Sequence, residues 1–332
     1  MSKSYSIAIV GATGAVGLEM LNVLERRNFP VRELRLLASA RSAGKPLRFK
    51  GEEVLVEKLT AESFAGIDVA LFSAGGSISH QFAPAAVQSG ATVVDNSSAF
   101  RMDGHVPLII PEINPQDVKP NNGLIANPNC TTAVTLMALY PLHQEFGVRR
   151  VIASSYQAVS GSGAKGIEEL RHQTQDIVAG RPVQRETYPH QIAFNVIPHV
   201  DSFLPGGYTK EEMKMQNEGR KIMHLPDFAA SVTCVRVPVY RAHSVAVTAQ
   251  FRHEPDIDRA REVIAAFPGV QVLDDPVAGI YPLPLQCAGQ DDCFVGRIRR
   301  DCALENALSF WVCGDQILKG AALNAVQIAE LL

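Results

Sequence analysis

Paired cysteines, an excess of charge of one sign and long apolar runs are all missing from this sequence. Its six cysteines are too few for a disulfide scaffold of 332 residues, and none forms a CxxC pair that would support a zinc site. The formal net charge is only -3, and the lysines and arginines are scattered. No basic face is therefore available for a run of phosphates, and we expect neither a metal site nor a nucleic-acid partner.

Membrane and targeting segments are missing as well. No apolar run approaches the roughly 20 residues that span a bilayer, which argues against a membrane partner. Residues 1–5 lead directly into a strand-like run, without the basic, apolar and small-residue regions of a signal peptide. We therefore expect a cytoplasmic location.

The composition is that of an ordinary globular protein, with 46% hydrophobic and 20% charged residues. Single cores stop growing at roughly 250 to 300 residues, so a chain of 332 residues is expected to form two domains.

The first part of the chain alternates strand-like and helical segments. The strand-like runs are 6–10, 34–38, 54–56, 68–73 and 92–95. A helix is predicted over 15–24, directly after a glycine turn. The alternation predicts an α/β fold with a doubly wound parallel sheet, formed by residues 1–128.

From residue 129 the pattern becomes that of an α+β domain, predicted to span 129–314. The predicted helices are 131–146, 164–178 and 211–223, and the predicted strands are 150–159, 244–251 and 307–313. The run 244–251 alternates apolar and polar positions, as in an antiparallel sheet with one solvated face. A last helix over 315–332 has one apolar side and is expected to complete the first domain.

A glycine-rich turn separates the first strand from the first helix. It reads GATGAVG, a GxxGxxG variant of the commoner GxGxxG. Such glycines allow a tight turn and admit a pyrophosphate against the amide groups at a helix N-terminus. A glycine triplet is also typical of an ordinary turn, but its place in a βαβ unit favours a dinucleotide site. The residues expected to contact the cofactor here are Gly11, Thr13, Gly14, Ala15, Val16 and Gly17.

The loop after the second strand indicates which dinucleotide binds. An NAD site usually has an acidic residue there, whereas this chain has Ser39, Arg41 and Ser42. Hydroxyl groups and a guanidinium suit a 2′-phosphate, which favours NADP, and an ordinary polar surface loop is the alternative. Ser73 and Gly75 are expected on the nicotinamide side, although a plain glycine turn fits them nearly as well.

Cys130 is the candidate nucleophile. It lies in the segment NPNCTT, directly before a predicted helix, where amide groups and the helix dipole stabilise a thiolate. A buried cysteine with no chemical role is the alternative. A thiolate beside a nicotinamide favours attack on an aldehyde, hydride transfer to NADP and cleavage of the thioester, or the reverse. Histidine is the best proton shuttle for this chemistry, and the residues alone offer His243 as one candidate among nine.

Nine segments together resemble the aspartate-semialdehyde dehydrogenase family over essentially the whole chain. They are GATGAVG, NSSAFR, IPEINP, ANPNCTT, YQAVSGSG, IAFNVIPH, TKEEMK, RVPVYRAHS and KGAALNAVQIAE. The resemblance implies NADPH-dependent reduction of L-aspartyl 4-phosphate to L-aspartate 4-semialdehyde and phosphate. This reaction belongs to the aspartate branch of amino-acid biosynthesis, which leads to threonine, to methionine and, through diaminopimelate, to lysine. It also implies an NADP-binding first domain and a second domain for catalysis and dimerisation, with a homodimer, or in some members a tetramer, as the assembly.

The same resemblance implies roles for particular side chains. Cys130 matches the nucleophile, Gln157 the residue that orients the acyl intermediate, and His243 the acid/base. Arg236 matches the residue that holds the substrate carboxylate, and Glu211 the one that holds its ammonium.

Further positions carried over from the family concern phosphate and cofactor. Arg101, Asn129 and Lys214 match phosphate-binding positions. Gly163 and Asn324 fall on cofactor positions.

Two differences from the family sequence and two alternative functions remain open. Many relatives read DNLRKGAALN where this chain reads DQILKGAALN, which leaves a cofactor contact by Gln316 undecided, and Ser162 stands where alanine is frequent. One rival is N-acetyl-glutamyl-phosphate reductase, whose substrate has an acylated amine; Glu211 favours a free ammonium instead. The other is a non-catalytic paralogue, and the joint retention of Cys130, Gln157, Arg236 and His243 argues against it.

Overall fold

The computed structural model describes residues 4–119 and 122–332. Residues 1–3, on which part of the expectation about a signal peptide depends, lie outside the described residues. The chain divides into two compact units, one formed by Met1–Asn129 with Ala321–Leu332 and the other by Cys130–Gly320. In the described ranges, no helix is long and apolar enough to cross a membrane.

The described residues of the first unit form a sheet of seven strands. They are β1 (Tyr5–Val10), β2 (Val31–Ala38), β3 (Pro46–Phe49), β4 (Glu52–Lys58), β5 (Val69–Phe72), β6 (Thr92–Asp95) and β7 (Leu124–Ala126). Their order is β3-β4-β2-β1-β5-β6-β7, and all neighbours are parallel except β3 and β4. The strand order reverses beside β1, which confirms the predicted doubly wound α/β sheet.

Two helices of this unit begin close to glycines. Helix α1 is Ala15–Arg26 and helix α2 is Gly76–Gln88. The side chains of β5 are buried on both faces of the sheet, as in a parallel sheet that lies between helices. Phe64 and Phe72 stack in this core, with ring centroids 5.7 Å apart.

The second unit contains a mixed sheet of six strands. They are β8 (Val148–Gln157), β9 (Ala229–Arg236), β10 (His243–Phe251), β11 (Val270–Val272), β12 (Cys293–Arg300) and β13 (Ala307–Gly314). Their order is β11-β12-β13-β10-β8-β9, with parallel pairs only at the two ends. Burial alternates along β10, as the sequence predicted for a sheet with one more exposed face.

The helices of the second unit are α3 (Cys130–Phe146), α4 (Gly163–Val178), α5 (Lys210–Ile222), α6 (Ile257–Ala265) and α7 (Pro284–Cys287). Helix α3 is buried along most of its length, which explains its weak amphipathic pattern. Helix α5 starts one residue earlier than predicted because Thr209 and Glu212 form a capping box.

The prediction of one continuous helix over 315–332 is wrong. A π-helical turn, Leu318–Ala322, precedes the helix α8 (Leu323–Glu330). The buried Asp315 carboxylate accepts the backbone N–H groups of Ile317 and Leu318, so this segment turns before a helix begins. Helix α8 packs on α1 in the first unit, where Arg27 and Glu330 form an ion pair.

Candidate active site

The glycine turn after β1 is shaped by close backbone contacts. Gly11 has a φ of +87°, and a Cβ atom there would lie 2.4 Å from the carbonyl oxygen of Ser73. A Cβ atom on Gly17 would lie 2.3 Å from the carbonyl oxygen of Gly11. Among the described residues, no side chain caps α1 at Gly14, and no acidic residue lies in its first turn. The helix therefore presents its amide groups in an arrangement that fits a pyrophosphate.

The polar loop after β2 lies beside this turn. The hydroxyl groups of Thr13 and Ser42 are 3.3 Å apart, and the Ser42 amide donates to the carbonyl of Ser39. Arg41 is exposed, and its side chain forms no hydrogen bond or ion pair within residues 4–119 and 122–332. The loop thus offers hydroxyl groups and one cation near the glycine turn, as a 2′-phosphate would require.

The other expected cofactor positions differ in their surroundings. Ser73 follows β5 and contacts the glycine turn through its carbonyl, and Gly75 has a φ of +89° at the start of α2. The buried Asn324 donates its amide to Asn127 Oδ1 at 2.6 Å and to the Ile109 carbonyl at 2.9 Å. Its Oδ1 has no hydrogen-bond partner in the described chain. Only that oxygen of Asn324 is therefore suited to a cofactor contact.

Arg101 and Asn129 belong to the first unit, and both are buried. The Arg101 guanidinium donates to the carbonyl oxygens of Asn127 and Asn96, each at 2.8 Å. These two bonds hold a buried cation in a fixed orientation, which is what anion binding needs.

Cys130 is the first residue of α3 and is partly exposed, whereas Cys302 is exposed and the other four cysteines are buried. Gly320 approaches it so closely that a Cβ atom there would lie 2.6 Å from Cys130 Cβ. Burial raises the pKa of Cys234 to about 12, so that thiol is unsuited to nucleophilic attack. The helix N-terminus, by contrast, favours a thiolate at Cys130.

His243 is the first residue of β10 and is fully buried. Its Nδ1 accepts the backbone N–H of Ala158 at 3.1 Å, so the neutral ring carries its proton on Nε2. Within the described residues Nε2 has no hydrogen-bond partner. Burial, and then the positive charge of Arg236, hold the pKa of His243 well below its ordinary value. The site thus contains a neutral imidazole with a donor available to a substrate oxygen.

Arg236 ends β9 beside this histidine. Its Nη1 donates to the carbonyl of Ala158 at 2.7 Å. A Cβ atom on Gly161 would lie 2.8 Å from Arg236 Nη1 and 3.4 Å from His243 Nε2, so Gly161 leaves the space in which both groups meet. Gly161 is the first glycine of the GSG segment, and this role was not predicted from the sequence.

Gln157, Glu211 and Lys214 form a connected group. Gln157 Nε2 donates to Glu211 Oε1 at 3.2 Å, and Lys214 Nζ donates to Glu211 Oε2 at 2.7 Å. Residues three apart on α5 share one face, which explains the pairing of Glu211 with Lys214. Lys214 also contacts Asp201 at 3.2 Å. The group supplies a buried carboxylate that is already hydrogen-bonded to donors.

Gln316 forms two hydrogen bonds within the second unit. Its Oε1 accepts the Ala242 N–H at 2.8 Å, and its Nε2 donates to the Ser160 hydroxyl. Ala242 has a φ of +73°, which is strained for a residue other than glycine. Gln316 therefore ties the segment before His243 to the turn after β8, a role that the sequence did not predict.

Gly163 begins α4 with a φ of +73° and has open space around its Cα. This left-handed backbone conformation favours glycine, so the turn that begins α4 accounts for the residue.

The chain matches two family models and many known proteins over nearly its whole length. The semialdehyde dehydrogenase NAD binding domain matches residues 6–120, and the semialdehyde dehydrogenase dimerisation domain matches residues 139–319. The aspartate-semialdehyde dehydrogenase of Aquifex aeolicus is 54% identical, covering 99% of this chain and 98% of the relative. That of Bacillus subtilis is 48% identical, covering 100% and 98%.

A solved structure agrees with these sequence matches. The structure of aspartate semialdehyde dehydrogenase II of Vibrio cholerae, complexed with ASA, superposes with a TM-score of 0.96 at 43% identity. The alignment covers 100% of this chain and 98% of that one. The chain therefore belongs to the aspartate-semialdehyde dehydrogenase family.

Proposed function

We propose that this protein catalyses the reversible, NADPH-dependent reduction of L-aspartyl 4-phosphate to L-aspartate 4-semialdehyde and phosphate. The observation that carries the proposal is the second unit's set of buried groups: the Arg236 guanidinium beside the neutral His243, and the Glu211 carboxylate bonded to Gln157. A substrate with a carboxylate, an ammonium and an acyl phosphate needs groups of these kinds.

Cofactor binding is assigned to the first unit, and catalysis and dimerisation to the second. The NAD binding domain and dimerisation domain matches support this division, for which we propose the bounds of the two compact units, 1–129 plus 321–332 and 130–320, in place of the expected boundary at 314. The uncapped start of α1 and the close contacts of Gly11 and Gly17 fit a dinucleotide. Arg41 with Ser39 and Ser42 is proposed to select NADP. The predicted cytoplasmic location stays a prediction.

The substrate is proposed to bind through opposite charges. Arg236 binds the substrate carboxylate, and Glu211 binds the substrate ammonium. At Glu211 Oε2 the substrate ammonium then replaces the ammonium group of Lys214. Lys214, Arg101 and Asn129 then bind the phosphate.

Cys130 is proposed to carry the covalent chemistry. In the reductive direction its thiolate attacks the acyl carbon and phosphate leaves, which forms a thioester oriented by Gln157. NADPH, when bound, supplies the hydride that reduces the thioester carbon. His243 Nε2–H faces no protein acceptor among the described residues and donates to the oxygen on which negative charge develops. The carbon–sulfur bond then breaks, which releases the aldehyde and restores the thiolate.

Phosphate-dependent oxidation of aspartate semialdehyde, followed by NADPH absorbance, tests this function. We expect activity with aspartate semialdehyde and little with N-acetyl-glutamate semialdehyde, whose acylated amine gives Glu211 no ammonium to bind. Preference for the acetylated substrate would support the rival reductase, and activity with neither would support a non-catalytic paralogue.

A further inference from the structure

Tyr188 lies against the proposed carboxylate-binding arginine. The Arg236 Cζ atom lies over the face of the Tyr188 ring, 6.0 Å from its centroid. The ring is half-buried and packs against the core cluster that contains Val159, Leu170 and Ile192. An aromatic face attracts a guanidinium and provides a flat surface for it.

The Tyr188 hydroxyl fixes the ring relative to Arg236. It donates to the Val159 carbonyl at 3.2 Å, next in the chain to the Ala158 carbonyl that accepts Arg236 Nη1. A Cβ atom on Gly166 would lie 2.5 Å from this hydroxyl, so a glycine in α4 makes room for it. Burial raises the pKa of Tyr188, which keeps the hydroxyl protonated as a donor.

Buried polar side chains of α4 hold the segment that carries Tyr188. The Glu169 carboxylate accepts the backbone N–H groups of Glu186 and Thr187, directly before Tyr188. Gln173 Oε1 accepts the N–H groups of Ile192 and Ala193, at 2.9 and 3.1 Å. Hydrogen bonds to the backbone on both sides of Tyr188 thus hold the segment in place.

We propose that Tyr188 is a positioning residue that holds the Arg236 guanidinium in the orientation needed to bind the substrate carboxylate. The inference rests on the proposed function, because it concerns the same substrate group. Two contacts then hold Arg236, the hydrogen bond from its Nη1 to the Ala158 carbonyl and the Tyr188 ring that lies beneath its Cζ atom. No part of this role requires the tyrosine to touch the substrate.

Steady-state oxidation of aspartate semialdehyde with NADP and phosphate tests the role. Tyr188→Leu should raise the KM for aspartate semialdehyde roughly tenfold, with kcat and the KM for NADP nearly unchanged, since ground-state and transition-state binding are lost together. Tyr188→Phe keeps the ring face and should restore the KM to within about twofold. Tyr140→Leu is the matched control, because that partly buried ring contacts His143 and Phe267 instead.

A double-variant cycle separates positioning from a general structural effect. In the Arg236→Lys background, Tyr188→Leu should change the KM by less than about twofold, because residues that act through one another are not additive. A full tenfold further rise would overturn the inference.

Two other results would also overturn it. One is an unchanged KM in Tyr188→Leu. The other is a rise in Tyr188→Phe as large as in Tyr188→Leu, and this second result decides the question if the leucine variant does not fold. Inactivity of the unmutated protein contradicts the proposed function and with it this inference, whereas normal activity with an unchanged KM in Tyr188→Leu contradicts this inference alone.

Discussion

The backbone of Ala158 determines which ring nitrogen of His243 carries the proton. Its backbone N–H donates to His243 Nδ1 at 3.1 Å, and its carbonyl accepts Arg236 Nη1 at 2.7 Å. One residue therefore orients both the imidazole and the guanidinium, and the proton of the neutral imidazole lies on Nε2.

His243→Asn should lower kcat by roughly 10² to 10⁴, the usual contribution of a general acid or base. The acyl-enzyme should still form, but more slowly, because Cys130 can attack the aldehyde without the imidazole while hydride loss to NADP proceeds without its help in moving the hydroxyl proton. Steady-state kinetics, combined with mass spectrometry of the quenched protein, measures both effects. A His243→Asn variant with normal kcat would remove His243 from the mechanism.

Stability should fall on acidification partly through His243. Its folded pKa lies well below the ordinary value because of burial and the charge of Arg236. The unfolded chain therefore binds this proton first, so stability is present above about pH 6.5 and is lost as the pH falls, by up to about 1.4 kcal/mol per unit. His143, whose pKa is also lowered by burial and by Arg252, adds to the loss.

Thermal unfolding midpoints at about pH 7.5 and about pH 5.5 test this linkage. The midpoint of the unmutated protein should fall more than that of His243→Asn, and the exposed His253→Asn should behave like the unmutated protein. Equal falls in the unmutated protein and His243→Asn would contradict the burial argument.

Arg41→Ala should narrow the preference for NADP over NAD. A hydrogen bond to a charged group contributes about 1.5 to 3 kcal/mol, which corresponds to roughly 10-fold to 150-fold in affinity. Binding of both dinucleotides by titration calorimetry measures the ratio, with the exposed Arg48→Ala as the matched control in the same unit. Equal efficiency with NADP and NAD in the unmutated protein would contradict the assignment.

Arg236→Lys keeps the charge but loses the planar fork, so it should weaken use of aspartate semialdehyde severely while NADP binding stays intact. The exposed Arg150→Lys, on β8 of the same unit, serves as the control. A near-normal kcat/KM in Arg236→Lys would mean that Arg236 does not bind the carboxylate.

The sequence predicted the elements whose burial is uniform or strictly alternating. The strands β1, β6 and β10 lie close to their predicted bounds because their apolar patterns reflect burial directly. The strands β9 and β12 were missed, since their polar residues make the patterns irregular. The helix over 315–332 was overextended because helix propensity does not show that Asp315 accepts nearby backbone amides.

The residues of the candidate site also differ in how well the sequence predicted them. Cys130 and the glycine turn stand out because their chemistry depends on residues adjacent in the chain. Gly161, Gln316 and Tyr188 act through contacts with distant segments, such as that of Gln316 with Ala242. Residues of this kind give no local signal, so only the folded structure identifies them.

Mass spectrometry of the enzyme quenched after mixing with aspartate semialdehyde and NADP, without phosphate, shows directly whether Cys130 carries the covalent chemistry. We expect an aspartyl adduct on the peptide that holds Cys130, in the unmutated protein and in His243→Asn. The adduct should be absent from Cys130→Ala. An adduct on Cys234 or another thiol, or full activity of Cys130→Ala, would contradict the proposed covalent mechanism.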